Sequence, residues 1–358
     1  MTLFNLSTFQ LFNNCEAIIA PYYTTIWFIL VGALFTGYAM LDGFDLGVGA
    51  LHLLVSKDED RRIFLNAIGP VWDGNEVWLV VGGGALFAAF PEAYATVFSG
   101  FYMPFILLLM ALIFRAVAIE FRSKEPSKIW RQTWDVLFAL GSLLSSFVIG
   151  VALGNITRGI PLDSNKEFIG TFWGLFNPYS LLLGFTVMIL FAMHGAIYLT
   201  MKTEGELQER VKGWVPKLIL LFVFFYFAFN ISTLFACPHL KKVIFSRPLI
   251  FVVLALDMFL LLNIWLLIKA GKELAAFFSS CLMMALLMMT FGLSYYPNMV
   301  ISSPHPENSL TITNAASTNY TLGLLCVVVL IGVPMVLSYT TSVYWIFRGK
   351  TKLTETSY

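Results

Sequence analysis

Charge is what this 358-residue chain has least of: Asp, Glu, Lys and Arg make up 12% of it. That is about half the share usual in soluble domains, and it excludes an ordinary water-facing globular surface. Histidine is nearly as scarce, with four residues, His52, His194, His239 and His305. Transmembrane bis-histidine haem sites need histidines on facing helices at similar depth. Several haems are therefore excluded; a single His52–His194 pair is conceivable, and both are read as non-ligands. The four cysteines, Cys15, Cys237, Cys281 and Cys326, have no CxxC spacing, so neither an iron–sulfur cluster nor a thiolate zinc site is suggested. No GxGxxG or GxxxxGK follows a strand, which leaves nucleotide chemistry unsupported. With 22 basic against 21 acidic residues, nothing points to nucleic acid either. The first 23 residues lack the basic n-region of a cleavable signal peptide, and Glu16 and Pro21 interrupt their apolar character.

Apolar and aromatic residues fill the space that charge leaves. The hydrophobic fraction is 58%, and 34 Phe, 14 Tyr and 9 Trp supply aromatic surface suited to lipid contact and interfacial anchoring. Mean hydropathy is +0.80. A helical bilayer crossing takes roughly 20 residues. Nine stretches qualify, at 25–55, 68–92, 99–120, 134–156, 175–200, 214–237, 248–269, 274–296 and 320–347. Long uniform runs exclude the alternating strands of a barrel, and the fold class is an all-α polytopic membrane protein. The second stretch is the weakest, because WDGNE interrupts it and Gly82, Gly83 and Gly84 lower its helix propensity. Connections read as short, with no soluble domain attached.

Basic residues orient the spans. With the N-terminus outside, 16 of the 22 fall on the inner side; only Arg158, Lys166, Lys241, Lys242 and Arg247 fall outside, and Arg115 lies within a span. That bias follows the positive-inside rule, and merging any two spans would scramble it. The C-terminus is then cytoplasmic.

Ionisable groups inside the spans cost several kcal/mol each unless paired, neutralised or facing water, at about 2–4 kcal/mol or more. The chain places four within 35 residues: Asp42 and Asp45 in DGFDLGVG, Asp73 and Glu76 in GPVWDGNEVW. Helical spacing puts Asp45, Gly49 and His52 on one stripe, with Asp42 on its flank and Asp73 and Glu76 as an i, i+3 pair beside Trp72 and Asn75. Arg115 and Glu120 lie in the inner part of the third span, and Asp135 opens the fourth. All converge toward the inner leaflet. Such a set relays protons through enclosed water, or else Arg115 neutralises the acids and fixes helix register. A secondary transporter with an intramembrane acidic site is the competing class, although its sites sit at midplane between repeated halves. Asp257, mid-span with no basic partner in its own helix, must find one elsewhere or be neutral. His194 reads as a packed histidine.

The segments GYAMLDGFDLGVG, DRRIFLNAIGPVWDGNEVWLVVGGGALFAAFPEAYATVFSGFY, FRAVAIEFRSK, WRQTWD, SLTITNAASTNYTLG and YTTSVYWIFRGK resemble subunit II of the cytochrome bd type of quinol oxidase, including its cyanide-insensitive branch. The likeness runs from about residue 25 to 350. It implies a single integral membrane domain over 1–358, with one four-helix bundle over 25–156, a second over 175–296 and a peripheral ninth helix at 320–347. It implies a bacterial inner-membrane location and a haem-bearing partner, subunit I, which carries two b-type haems and haem d or a further b-type haem. Subunit II itself binds no haem and holds, at most, a structural quinone; a small single-helix accessory subunit belongs to some such complexes. The complex oxidises quinol, reduces dioxygen to water and draws the protons from the cytoplasm. Carried onto this chain, Asp45 and Asp73 match the family's membrane carboxylates and Arg115 its membrane arginine. Ala116 stands where proline is common, Glu76 where the family has Glu or Gln, and the loop at 238–247 is short.

Overall fold

A computed structural model describes residues 20–353. The early-chain expectations, Cys15 among them, lie outside those residues. Twelve α-helices carry nearly everything: α1 (Tyr23–Leu51), α2 (Asp58–Ile68), α3 (Trp72–Ala89), α4 (Pro91–Gly100), α5 (Tyr102–Phe121), α6 (Lys128–Arg158), α7 (Pro178–Lys202), α8 (Gly205–Ala236), α9 (Pro238–Ser246), α10 (Pro248–Lys269), α11 (Glu273–Tyr295) and α12 (Asn319–Ile346). Among the described residues, eight helices are long and apolar enough to cross a membrane. The 18-residue α3 is not in that set, because Asp73, Asn75 and Glu76 occupy its first turns.

Local chemistry sets the helix starts. The Ser127 side chain caps α6 by accepting from Trp130 N, Asn177 caps α7 by accepting from Ser180 N with Pro178 next, and Thr318 caps α12 by accepting from Thr321 N. Gly159, at φ 90°, ends α6 in a conformation that side chains disfavour. Pro216 and Pro334 sit inside α8 and α12, a placement that membrane helices tolerate.

Three segments read as parts of spans or loops are helices of their own, α4 (Pro91–Gly100) between the second and third stretches among them. Residues 58–68, overlapping the start of the second stretch, form the amphipathic α2, with Asp58, Glu59 and Asp60 at its N-terminus and Phe64, Leu65 and Ile68 buried. The short loop at 238–247 is α9. Two connections, although read as short, are long, as the gaps 157–174 and 297–319 between the predicted stretches already imply. Residues 159–177 and 296–318 lie together over one end of the molecule, joined by backbone bonds between Ile160 and Ile301 and between Ser303 and Ile160, with a two-stranded antiparallel sheet, β1 (Asn298–Val300) and β2 (Leu310–Thr311).

Side-chain bonds bring several helix ends together: His52 after α1 and Arg122 after α5 meet Asp135 near the start of α6, Gln208 of α8 bonds Thr200 near the end of α7, and Lys202 bonds Phe347 at the end of α12, so Arg61, Arg122, Arg131, Lys202 and Arg210 share one basic end. The centre is α7, which packs against α1, α6, α8 and α11. Its crossing with α1 is backbone on backbone: a Cβ on Gly47 would lie 1.9 Å from the Phe191 carbonyl oxygen, and one on Gly195 would lie 2.5 Å from the Gly47 carbonyl carbon. Small residues set such crossings where lipid removes the hydrophobic drive for association. Gly47→Ala is expected to lower the thermal midpoint of the purified complex, by an overpacking cost of about 1–3 kcal/mol; an unchanged midpoint would mean that the two helices separate freely. By contrast α12 is mostly exposed and tied at its ends, by Trp27 Nε1 donating to Leu322 O (3.0 Å) and by Lys202 Nζ donating to Phe347 O (2.6 Å).

Candidate functional site

The membrane acids do not form one cluster. Instead the polar stripe of α1 feeds two separate networks near the basic end. In the deeper one, Arg115 of α5 lies among Asp42 and Asp45 of α1 and Glu76 of α3. Its Nη2 stands 3.0 Å from Asp42 Oδ1 and 3.8 Å from Asp45 Oδ2, and its Nη1 pairs with Glu76 Oε1. The Arg115, Asp42 and Asp45 side chains are fully buried, while that of Glu76 is 24% exposed. Asn75 Nδ2 donates to Asp45 Oδ2 at 2.7 Å and to the Leu41 carbonyl at 3.2 Å. The Tyr344 hydroxyl of α12 donates to Asn75 Oδ1 at 3.0 Å. Both oxygens of Asp42, Oδ1 of Asp45, the Tyr38 hydroxyl and Arg115 Nε make no hydrogen bond within the protein.

The second network is nearer the basic end and centres on Asp135 of α6. His52 Nε2 reaches its Oδ1 at 2.6 Å, Arg122 Nε the same oxygen at 2.6 Å, and Arg61 Nη1 reaches Oδ2 at 2.8 Å. Arg122 also pairs with Asp58 at 2.7 Å, which Arg131 meets at 3.2 Å. His52 and Asp45, predicted to share a stripe, therefore serve different partners.

The remaining predicted residues are scattered. Asp73 is exposed on α3, one turn before Glu76. Glu120 is half-buried and is not one of the carboxylates around Arg115. His194 is fully buried: Nδ1 lies 2.8 Å from Ser280 Oγ, Nε2 donates to Met40 O at 2.9 Å, and the ring stacks on Phe277. With both nitrogens engaged, His194 has none to offer a haem iron. Asp257 is 1% exposed, and neither of its oxygens is hydrogen-bonded among the described residues; Asn263 bonds Ser279. His239, at the opposite end, donates to Thr157 O, and burial lowers its pKa from the ordinary value. His305 lies 3.3 Å from Glu307. Cys237, Cys281 and Cys326 are free thiols.

Sequence reasoning missed Tyr38, Tyr344, Arg61, Arg122 and Asp58. Tyr38 carried a legible signal, since it lies four residues before Asp42 on the same helical face. Tyr344 carried none, being 269 residues from Asn75 in sequence.

This pairing of one membrane arginine with acids from DGFDLG and WDGNE can be set against known proteins. The family model for cytochrome bd terminal oxidase subunit II matches residues 23–347. The chain belongs to that family. It is 35% identical over 356 residues to cytochrome bd-I ubiquinol oxidase subunit 2 of Escherichia coli (strain K12), covering 91% of this chain and 94% of that protein. It is 36% identical over 327 residues to cytochrome bd ubiquinol oxidase subunit 2 of Bacillus subtilis (strain 168), covering 91% and 96%. The solved bd oxidase from Geobacillus thermodenitrificans contains a chain that superposes with a TM-score of 0.75 at 16% identity, over 91% of this subunit and 98% of that chain, a likeness of fold. This subunit II is thus part of a bd-type quinol oxidase and a multi-pass protein of the bacterial cytoplasmic membrane, with the haem-bearing subunit I as its counterpart.

Proposed function

We propose that this subunit supports the haem subunit and carries protons from the cytoplasm toward it, through the group formed by Asp42, Asp45, Glu76 and Arg115. The observation that carries the reading is the charge count: one guanidinium faces three carboxylates in a buried site. A single cation cannot neutralise three anions, and a dry interior does not hold the excess. Mobile protons and enclosed water balance such a set, and Asp42 Oδ2 and Asp45 Oδ1, which meet neither the arginine nor a hydrogen-bond donor among the described residues, are the atoms that would receive them.

In this reading α3 is the ninth span, the N-terminus lies outside and the basic end faces the cytoplasm. The shared basic end and the position of the cap supplied by residues 159–177 and 296–318 agree with it. Helices α1, α3, α5 and α6 make one four-helix bundle, α7, α8, α10 and α11 a second, and α12 stands at the edge. The exposed face of α3, with Val77, Val80 and Val81, is apolar surface that suits the partner subunit. Asp73 and Glu76 lie on the same helix, so they stand where protons would pass between subunits. The haems, two of b type with haem d or a third b, belong to subunit I, and the chemistry of quinol oxidation and oxygen reduction is theirs. A structural quinone and a single-helix accessory subunit are compatible with the open apolar faces.

Asp73→Asn and Asp45→Asn test the proton role in the intact complex, since each keeps size and removes a titrating group. Both should slow oxygen reduction by about 100-fold, the lower end of what a positioned proton-transfer group contributes, while quinol still reduces the haems. Unchanged turnover in an assembled complex would remove the residue from the path.

A further inference from the structure

Between the start of α3 and the end of α12 lies a cavity of about 30 Å³, lined by Pro70, Gly74, Asn75, Tyr339, Val343 and Tyr344. It is partly open, and the buried Asn75 is among its lining residues. About 10–15 Å³ of such space accommodates a water, provided that polar groups line it; Asn75 and the Tyr344 hydroxyl supply them.

We propose that this cavity is the water port of the acidic group, and that Tyr344 is a positioning residue which sets Asp45 through Asn75. The inference rests on the proton-carrying reading above and adds where water enters and what aims the receiving carboxylate.

The hydrogen bonds fix the direction of each group. The Leu41 carbonyl and the Asp45 carboxylate accept, and together they settle which way the Asn75 amide faces: its NH2 donates to Leu41 O and Asp45 Oδ2. Its oxygen is thereby turned to accept from the Tyr344 hydroxyl. Asp45 is left with Oδ2 occupied and Oδ1 open, a single position at which a proton can be accepted. Asn75 itself is no proton carrier, because an amide does not readily pass on a proton. Its role is to hold Asp45 while water in the port carries the charge.

The placement on α12 is telling. That helix buries little of itself, yet beside the port it contributes the tyrosine that completes the chain to Asp45. Its lower end is also held by Lys350 Nζ donating to Thr200 O at 3.0 Å and by Thr351 N donating to Lys202 O at 2.8 Å. A helix that needed only to fill lipid-facing space would require neither the buried hydroxyl contact nor this double tether.

Gly74 offers a direct test, because a Cβ built on it meets nothing within 4 Å. An alanine Cβ is therefore accepted at this lining position, and Gly74→Val adds more bulk beside the port than Gly74→Ala does. In the assembled, fully reduced oxidase mixed with oxygen, proton uptake followed with a pH-sensitive dye should slow about tenfold in Gly74→Val, within the roughly hundredfold that a misplacement can cost, and less in Gly74→Ala. Tyr344→Phe should slow uptake too and enlarge the difference between H2O and D2O, while quinol reduction of the haems stays at the parent rate. A merely structural tyrosine would leave the isotope effect where it was. Uptake at the parent rate in both Gly74→Val and Tyr344→Phe, with Asp45→Asn slowed, overturns the port and keeps the proton role. Parent-rate uptake in Asp45→Asn as well overturns both.

Discussion

Arg115→Met should abolish the assembled oxidase, read as loss of the haem absorbance bands from membranes and of the complex from native gels. Methionine matches the arginine stem in length, so the substitution removes charge with little change of volume. What remains is Asp42, Asp45 and Glu76 around an apolar tip, two of them fully buried. Removing one partner of a buried ion pair costs about 3–5 kcal/mol, and here three acids lose the same partner. The total stability of a domain is about 5–15 kcal/mol, so the loss consumes a large part of it. Arg115→Lys should rescue assembly only in part, because a compact ammonium cannot present two nitrogens to Asp42 and Glu76 at once. Adding Asp42→Asn to Arg115→Met should restore some complex, and the size of that restoration measures their coupling. Normal haem content in Arg115→Met would mean that the arginine does not hold the acids.

The helices were legible in the sequence for a simple reason. Hydrocarbon leaves a chain no alternative to internal hydrogen bonding, so an apolar run of sufficient length is a helix whatever its neighbours do. The stretch 248–269 coincides with α10 to the residue, and 320–347 is displaced from α12 by one at each end. Failures came where that constraint lapses. Residues 58–68 and 238–246 lie at the bundle ends, where water competes for backbone groups and amphipathic pattern decides instead. The two long connections, 159–177 and 296–318, owe their form to each other, through bonds such as Ile160 N to Ile301 O, and no local pattern announces that pairing.

The site was legible to the same depth and no further. Asp42, Asp45, Glu76 and Arg115 stood out because charge is so scarce, and the structure does bring these four together. Depth in the membrane, the only coordinate that sequence supplies, could not separate them from His52 and Asp135, which lie about two helical turns away along α1. The separation is made by which neighbour each helix face meets, and that is set by crossings such as Gly47 against Gly195. Asp73 shows the converse limit: its motif marks it strongly, and it turns outward, toward surface that a single chain does not cover.

Asp135→Leu is the second substitution expected to be severe, and Asp135→Asn decides whether its network belongs to the proton path. Asp135 is 1% exposed and receives Arg122, Arg61 and His52 together. Leucine would leave Arg122, also 1% exposed, with only the half-exposed Asp58 as its anion. It would also release His52, which is fully buried. The expected cost is about 3–5 kcal/mol, seen as loss of complex or as a markedly lower thermal midpoint, with the turn between α1 and α2 opening first because Arg61 ties it to both Asp135 and Val55 O. Asparagine retains an acceptor oxygen for the arginines and should assemble at reduced stability. Its proton uptake is expected to match the parent, because this network has more cations than anions and so has no unbalanced carboxylate to receive a proton, unlike the group around Arg115. If uptake in Asp135→Asn slows as it does in Asp45→Asn, with haem reduction intact, the stripe along α1 works as one relay from His52 to Asp42, and the division into two networks is one of geometry alone.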